Sequence, residues 1–113
     1  MPSRIQRKRT KGWRKPEGAV YVGRGTRWGN PYTITRTFTG YIVDGPNLRV
    51  EYPSRRRATA VAVDAFRAWL GSDPGRVGEV RAELAYRDLM CWCAPADACH
   101  ADVLLDVAAG GGP

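Results

Sequence analysis

The sequence predicts a small α/β or α+β domain: a single sandwich with a central mixed sheet, an antiparallel meander and about three helices. Three observations carry that expectation. Two short apolar runs, around Val20 and around Met90, are bounded by strand breakers. Between them, residues 32–52 are rich in Thr, Tyr, Ile and Val and are cut into strand-sized pieces by Gly40 and by Gly45-Pro46-Asn47. Two stretches with helical spacing follow the meander, and a third begins near Cys99. With 113 residues, the chain suits one domain and one modest core.

The chain opens on Arg4, Arg7, Lys8, Arg9, Lys11, Arg14 and Lys15, with no acid before Glu17. Beyond that point acids and bases balance, so the net charge of +7 resides in one arm, residues 1–16. Such an arm suits phosphate contacts with a steep salt dependence. Trp13 within it could stack on a base. The competing reading is a solvated tail. The arm has no apolar segment like that of a secretory signal, and no apolar run nears the length of a membrane span. With an odd number of cysteines, these features lead us to expect a reducing, cytoplasmic protein without membrane partners.

From residue 17 to 109 we expect the folded domain. Gly18-Ala-Val-Tyr-Val-Gly23 reads as its first strand. It enters Arg24-Gly-Thr-Arg27-Trp28-Gly-Asn30-Pro31, a loop by composition. Arg24 and Arg27 could grip phosphate there, with Trp28 as a stacking platform and Asn30 as a further ligand contact. The Gly-Lys-Ser/Thr ending of a P-loop is absent. A glycine-rich hairpin with solvated arginines explains the same residues without a ligand. After the meander, Arg55-Arg-Arg57 reads as a solvated helix start. Residues 59–70 form the strongest helix, with Ala62, Phe66, Trp69 and Leu70 on one face and Gly71 as its cap. Ser72-Asp73-Pro74 opens a second helix, whose Val77, Val80 and Leu84 point inward. Residues 110–113 read as a flexible glycine-rich tail that begins to fray at Ala108.

All three cysteines and the single histidine lie between Cys91 and His100. The run Asp88-Leu-Met-Cys91-Trp-Cys93 reads as a buried strand, with Cys91 and Cys93 on one face and Trp92 on the other. Pro95 ends it, and Asp97 is the expected N-cap of a helix with Val103, Leu104 and Val107 inward. Three readings of the cluster stay open. Cys91, Cys93, Cys99 and His100 could bind zinc, although C-x-C-x5-C-H is a poor ligand spacing. Cys99 at a helix N-terminus could be a low-pKa nucleophile, with His100 as acid or base and Asp102 nearby. The cysteines could also be small buried hydrophobes. If the first strand and the cysteine strand are neighbours, the Arg24–Asn30 loop and the cluster open onto one crevice at the strands' carboxyl ends. Cys99 is then the thiol expected to alkylate first.

Several blocks together, Arg4-Ile-Gln-Arg-Lys-Arg9, Gly12-Trp-Arg14, Val20-Tyr-Val-Gly-Arg24, Trp28-Gly-Asn-Pro31, Cys91-Trp-Cys93 and Cys99-His100-Ala-Asp102-Val-Leu-Leu, resemble a small bacterial and phage family of uncharacterised domains. The resemblance spans nearly the whole chain. This sequence departs from it in a longer meander and in Ala101, where a glycine often stands. The resemblance implies a phage or bacterial origin and supplies no reaction. Two functions follow from the residues. One is a nucleotide- or nucleic-acid-acting enzyme, catalysing transfer or hydrolysis, with phosphate held by the loop and a helix N-terminus. The other is a nucleic-acid-binding module whose Cys/His cluster is structural, with or without zinc.

Overall fold

A computed structural model describes residues 2–111. It is built in the order β1 (Arg4–Gln6), β2 (Val20–Tyr21), β3 (Thr33–Arg36), β4 (Tyr41–Gly45), β5 (Leu48–Tyr52), α1 (Arg55–Gly71), α2 (Pro74–Leu84), β6 (Leu89–Cys91) and α3 (His100–Ala108). The expected mixture of three helices, a meander and a further sheet is present. The strands divide between two sheets: a parallel one in the order β1-β6-β2 and an antiparallel one in the order β3-β4-β5.

β6 is central because its residues are the most apolar of the three parallel strands. Leu89, Met90 and Cys91 are all buried, as strands covered on both faces must be. β2 pairs with it in the register Val20↔Leu89 and Tyr21↔Met90, so the first strand and the cysteine strand are neighbours as expected. The other edge was not foreseen. Arg4, Ile5 and Gln6 pair with Leu89, Met90 and Cys91, and the Arg7 amide extends the ladder by donating to the Cys91 carbonyl at 2.7 Å. The basic arm therefore begins as a strand of the domain, and only the chain beyond it is free of the sheet.

The antiparallel sheet follows from its turns. Gly45 pairs with Leu48 across Pro46-Asn47, and Asn47 has φ 56°. Proline followed by a residue able to take positive φ is the pattern of a type II turn. Gly45 is needed because a Cβ there would meet the Tyr32 ring and backbone.

α1 starts at Arg55, four residues earlier than the apolar pattern indicates, because Ser54 caps it by accepting from the Arg57 amide. Its last helical residue is Gly71, and Ser72 is the cap. Asp73 caps α2, with Pro74 as its first residue. α3 is capped at Cys99, without a side-chain cap bond, and not at Asp97. α1 packs on the antiparallel sheet and also on α2 and α3, while α3 packs on β6. Phe66, Leu84, Leu89 and Leu104 are fully buried where these layers meet.

The chain end is more ordered than its composition implies. The Gly111 amide donates to the Asp106 carbonyl and the Gly110 amide to that of Val107, with Gly110 at φ 95°. This is a Schellman closure, and glycine supplies its left-handed residue. Arg81 also donates to the Gly111 carbonyl. The expected frayed tail from Ala108 is hydrogen-bonded as far as Gly111, and its last two residues lie outside the described residues.

Candidate functional site

The parallel strands β1, β6 and β2 end at the same edge of their sheet, where the chain continues into loops. There a crevice of roughly 380 Å³ opens. Gly23 and Arg24 line it after β2, Cys91 at the end of β6 with Trp92 and Cys93 after it, and Cys99 and His100 at the start of α3; Tyr32, Ile34 of β3 and Ala62 of α1 close the other side. The lining is mostly apolar with a few polar groups, the usual character of a small-molecule pocket.

The three sulfurs form its most distinctive wall. They all lie within 4.8 Å of one another, and the Sγ atoms of Cys91 and Cys99 stand 3.1 Å apart. All three cysteines are free. Each is delivered by a different element: Cys91 by the end of β6, Cys93 by the loop after it, Cys99 by the cap of α3. That convergence overcomes the poor linear spacing. Hydrogen bonds to Cys91 and Cys93 pull the Cys99 thiol below its ordinary range against the opposing effect of burial. Cys93 is pushed far up by its bonds to Cys91 and Cys99 and by burial. Cys91 is drawn down by Cys93 but raised overall by Cys99 and burial.

Cys99 is only 2% exposed, whereas Cys93 is half-buried. For the expected preferential alkylation of Cys99, the two determinants point to different thiols: the lowered pKa favours Cys99 and access favours Cys93. His100 is held from two sides. Its Nε2 is 2.6 Å from the Val22 carbonyl, which can only accept, so Nε2 carries the proton. In the neutral ring Nδ1 is then the free acceptor, 3.8 Å from the Cys99 sulfur. The Phe66 ring meets the imidazole edge-on, centroids 5.4 Å apart. Asp102 takes no part in this arrangement. It lies 3.3 Å from Arg4 and is half-exposed, and burial raises its carboxyl against the pull of that guanidinium. Two residues along a helix turn a side chain by about 200°, which carries Asp102 away from the face His100 uses.

Arg4, expected on nucleic acid, is instead internal. Its guanidinium donates to the Ala94, Pro95 and Asp97 carbonyls and clamps the loop that joins Cys93 to Cys99. Burial works against its charge, but Asp102 and Cys99 more than offset that and raise its pKa.

The predicted phosphate loop is divided. Arg24 is exposed at the crevice. Asn30 lines the crevice, yet its amide is engaged, donating to the Ala62 carbonyl at 3.1 Å and accepting from the Tyr32 amide at 2.9 Å. Arg27 turns away to pair with Glu83 and to cover Trp28 at 4.5 Å. Trp28 packs half-buried on the core beside a separate small cleft with Phe66 and Trp69. Grouping Arg27 and Trp28 with the crevice is thus corrected: the indole's apolar area is better satisfied against the core than at an open rim.

The arm makes a second hollow of roughly 480 Å³, lined by Arg7, Lys8, Arg9, Trp13 and Lys15 together with Tyr21, Met90 and Trp92. Lys11 and Arg14 are exposed outside that lining. Arg7 and Arg9 lie 5.0 and 4.8 Å from the Trp92 ring, and Arg7 lies 4.9 Å from that of Tyr21. Tyr21 and Trp92 line the crevice as well. Neither was marked as functional in the sequence, although strand alternation already turned Trp92 away from the thiols.

The chain belongs to the family described as Domain of unknown function (DUF4326), whose model matches residues 5–110. No curated protein and no solved structure matches it. Among the described residues, no helix is long and apolar enough to cross a membrane.

Proposed function

We propose that this chain binds single-stranded nucleic acid or a nucleotide along the basic hollow and presents one nucleotide to the cysteine crevice. The observation that carries this reading is the pair of shared walls: Tyr21 and Trp92 belong to both cavities. A strand held by Arg7, Lys8, Arg9 and Lys15 can stack a base on Trp92, which is 39% exposed. The next group along the strand then meets Arg24 at the crevice mouth. Cationic grooves with aromatic platforms are the general solution for single strands, each stacked base adding about 1–3 kcal/mol. Transfer or hydrolysis at the bound nucleotide would use the cysteine wall, with Arg24 on phosphate and the His100 Nδ1 as acceptor. Three free thiols suit a reducing, cytoplasmic setting.

The burial of Cys99 favours a second reading, in which the cluster only shapes the fold and the hollow binds nucleic acid without turnover. Both readings share the binding step. Trp92→Ala should weaken binding of a short fluorescent single-stranded oligonucleotide by about 5–150-fold, the loss of one stacked base, while Trp92→Phe keeps most of the affinity. Anisotropy titrations at fixed salt measure this. Equal affinity for the alanine variant and the parent chain would remove the basis for the reading.

A further inference from the structure

We infer that Cys91, Cys93 and Cys99 form a three-thiolate site for a zinc-class divalent ion, with its fourth coordination position open to the crevice and His100 outside the ligand set. The inference rests on the geometry of the sulfurs and is independent of the nucleic-acid reading. A tetrahedral ion about 2.3 Å from each sulfur needs sulfurs about 3.8 Å apart. Here Cys91 and Cys99 stand at 3.1 Å and no pair exceeds 4.8 Å, so small side-chain rotations reach the required triangle. Soft thiolates select zinc-like ions over magnesium or calcium. The imidazole Nε2 is committed to the Val22 carbonyl, and although Nδ1 lies 3.8 Å from the Cys99 sulfur, the set of mutually close ligand atoms contains the sulfurs alone.

The surroundings fit the charge such a site would carry. Three thiolates and a divalent ion leave one net negative charge. The Arg4 guanidinium, whose side chain is only 10% exposed, compensates it, aided by the N-terminus of the nine-residue α3. Arg4 also fixes the ligand-bearing loop through three backbone carbonyls, as outer partners of metal ligands do. All three cysteines line the crevice, so the remaining position faces its interior. Three protein ligands with the fourth place left to water or substrate is the pattern of a reactive zinc, not a structural one. As the ion binds, each ligating thiol gives its proton to solvent.

The test is a cobalt(II) titration of the reduced, metal-depleted full chain, with elemental analysis of the chain as purified. We expect one cobalt per chain, sulfur-to-cobalt charge-transfer absorption, and the intense visible bands of a tetrahedral ion. Azide should shift those bands by entering the open position. His100→Ala should retain them. Cys93→Ser, at the half-buried and therefore most tolerant position, should lose more affinity than the roughly 10–100-fold typical of an outer-shell change, with circular dichroism confirming that it folds. No uptake by the parent chain, loss of the bands in His100→Ala, indifference to azide, or iron and sulfide in place of zinc would each overturn the assignment.

Discussion

Neutralising Arg7, Lys8 and Arg9 together to glutamine should lower single-stranded oligonucleotide affinity by about a hundredfold at 0.1 M salt. Each phosphate contact on a single strand contributes about 0.7 to the slope of log affinity against log salt, so three contacts remove about 2 from it. The three side chains line one hollow, and two of them cover the Trp92 ring. The fold should tolerate the change, because Arg7 holds β6 through its backbone amide and surface substitutions usually stay within about 0.5 kcal/mol. Titrations at several salt concentrations check this. An unchanged slope in the triple variant would mean that this face does not meet phosphate.

Phe66→Ala should destabilise the domain by about 3–5 kcal/mol, the range for removing a buried aromatic side chain. Small domains hold only about 5–15 kcal/mol in total, so a substantial share of the folded state's margin would be lost. Phe66 is 1% exposed. Its ring stacks on Trp69 with centroids 5.9 Å apart and meets His100 edge-on, so one residue links the core of α1 to the crevice wall. Phe66→Leu keeps most of the volume and should lose much less. Denaturant unfolding of the reduced chain measures both. A loss below about 1 kcal/mol for the alanine variant would show that α1 does not pack as described.

The parts of this architecture that were legible in the sequence are those where local chemistry and tertiary context agree. Asp73-Pro74 announces α2, Pro46-Asn47 announces the turn between β4 and β5, and the apolar run at Leu89 announces the buried central strand. β1 was hidden because Arg-Ile-Gln has no strand signature of its own; it is a strand because β6 offers a free edge. Asp97 has the side chain of an N-cap, yet Arg4 holds the Asp97 carbonyl and the helix starts three residues later. Trp28 sits among loop residues, and its burial depends on the cleft beside Phe66 and Trp69, which no local pattern encodes. Cys91, Cys93 and Cys99 were legible as a cluster because so few residues separate them. The separation of His100 and Asp102 follows from helix geometry once the helix start is known.

The link between the basic hollow and the thiol crevice is tested most directly by alkylating the reduced, metal-depleted chain with and without a saturating single-stranded oligonucleotide, read by mass spectrometry. Cys93, half-buried, is the thiol whose labelling reports on the crevice mouth, since Cys91 and Cys99 are buried. The oligonucleotide should slow its labelling several-fold, because a strand stacked on Trp92 covers the crevice mouth. An oligonucleotide that is bound by anisotropy yet leaves the Cys93 rate unchanged would contradict the account, since the hollow and the crevice would then be two unconnected sites.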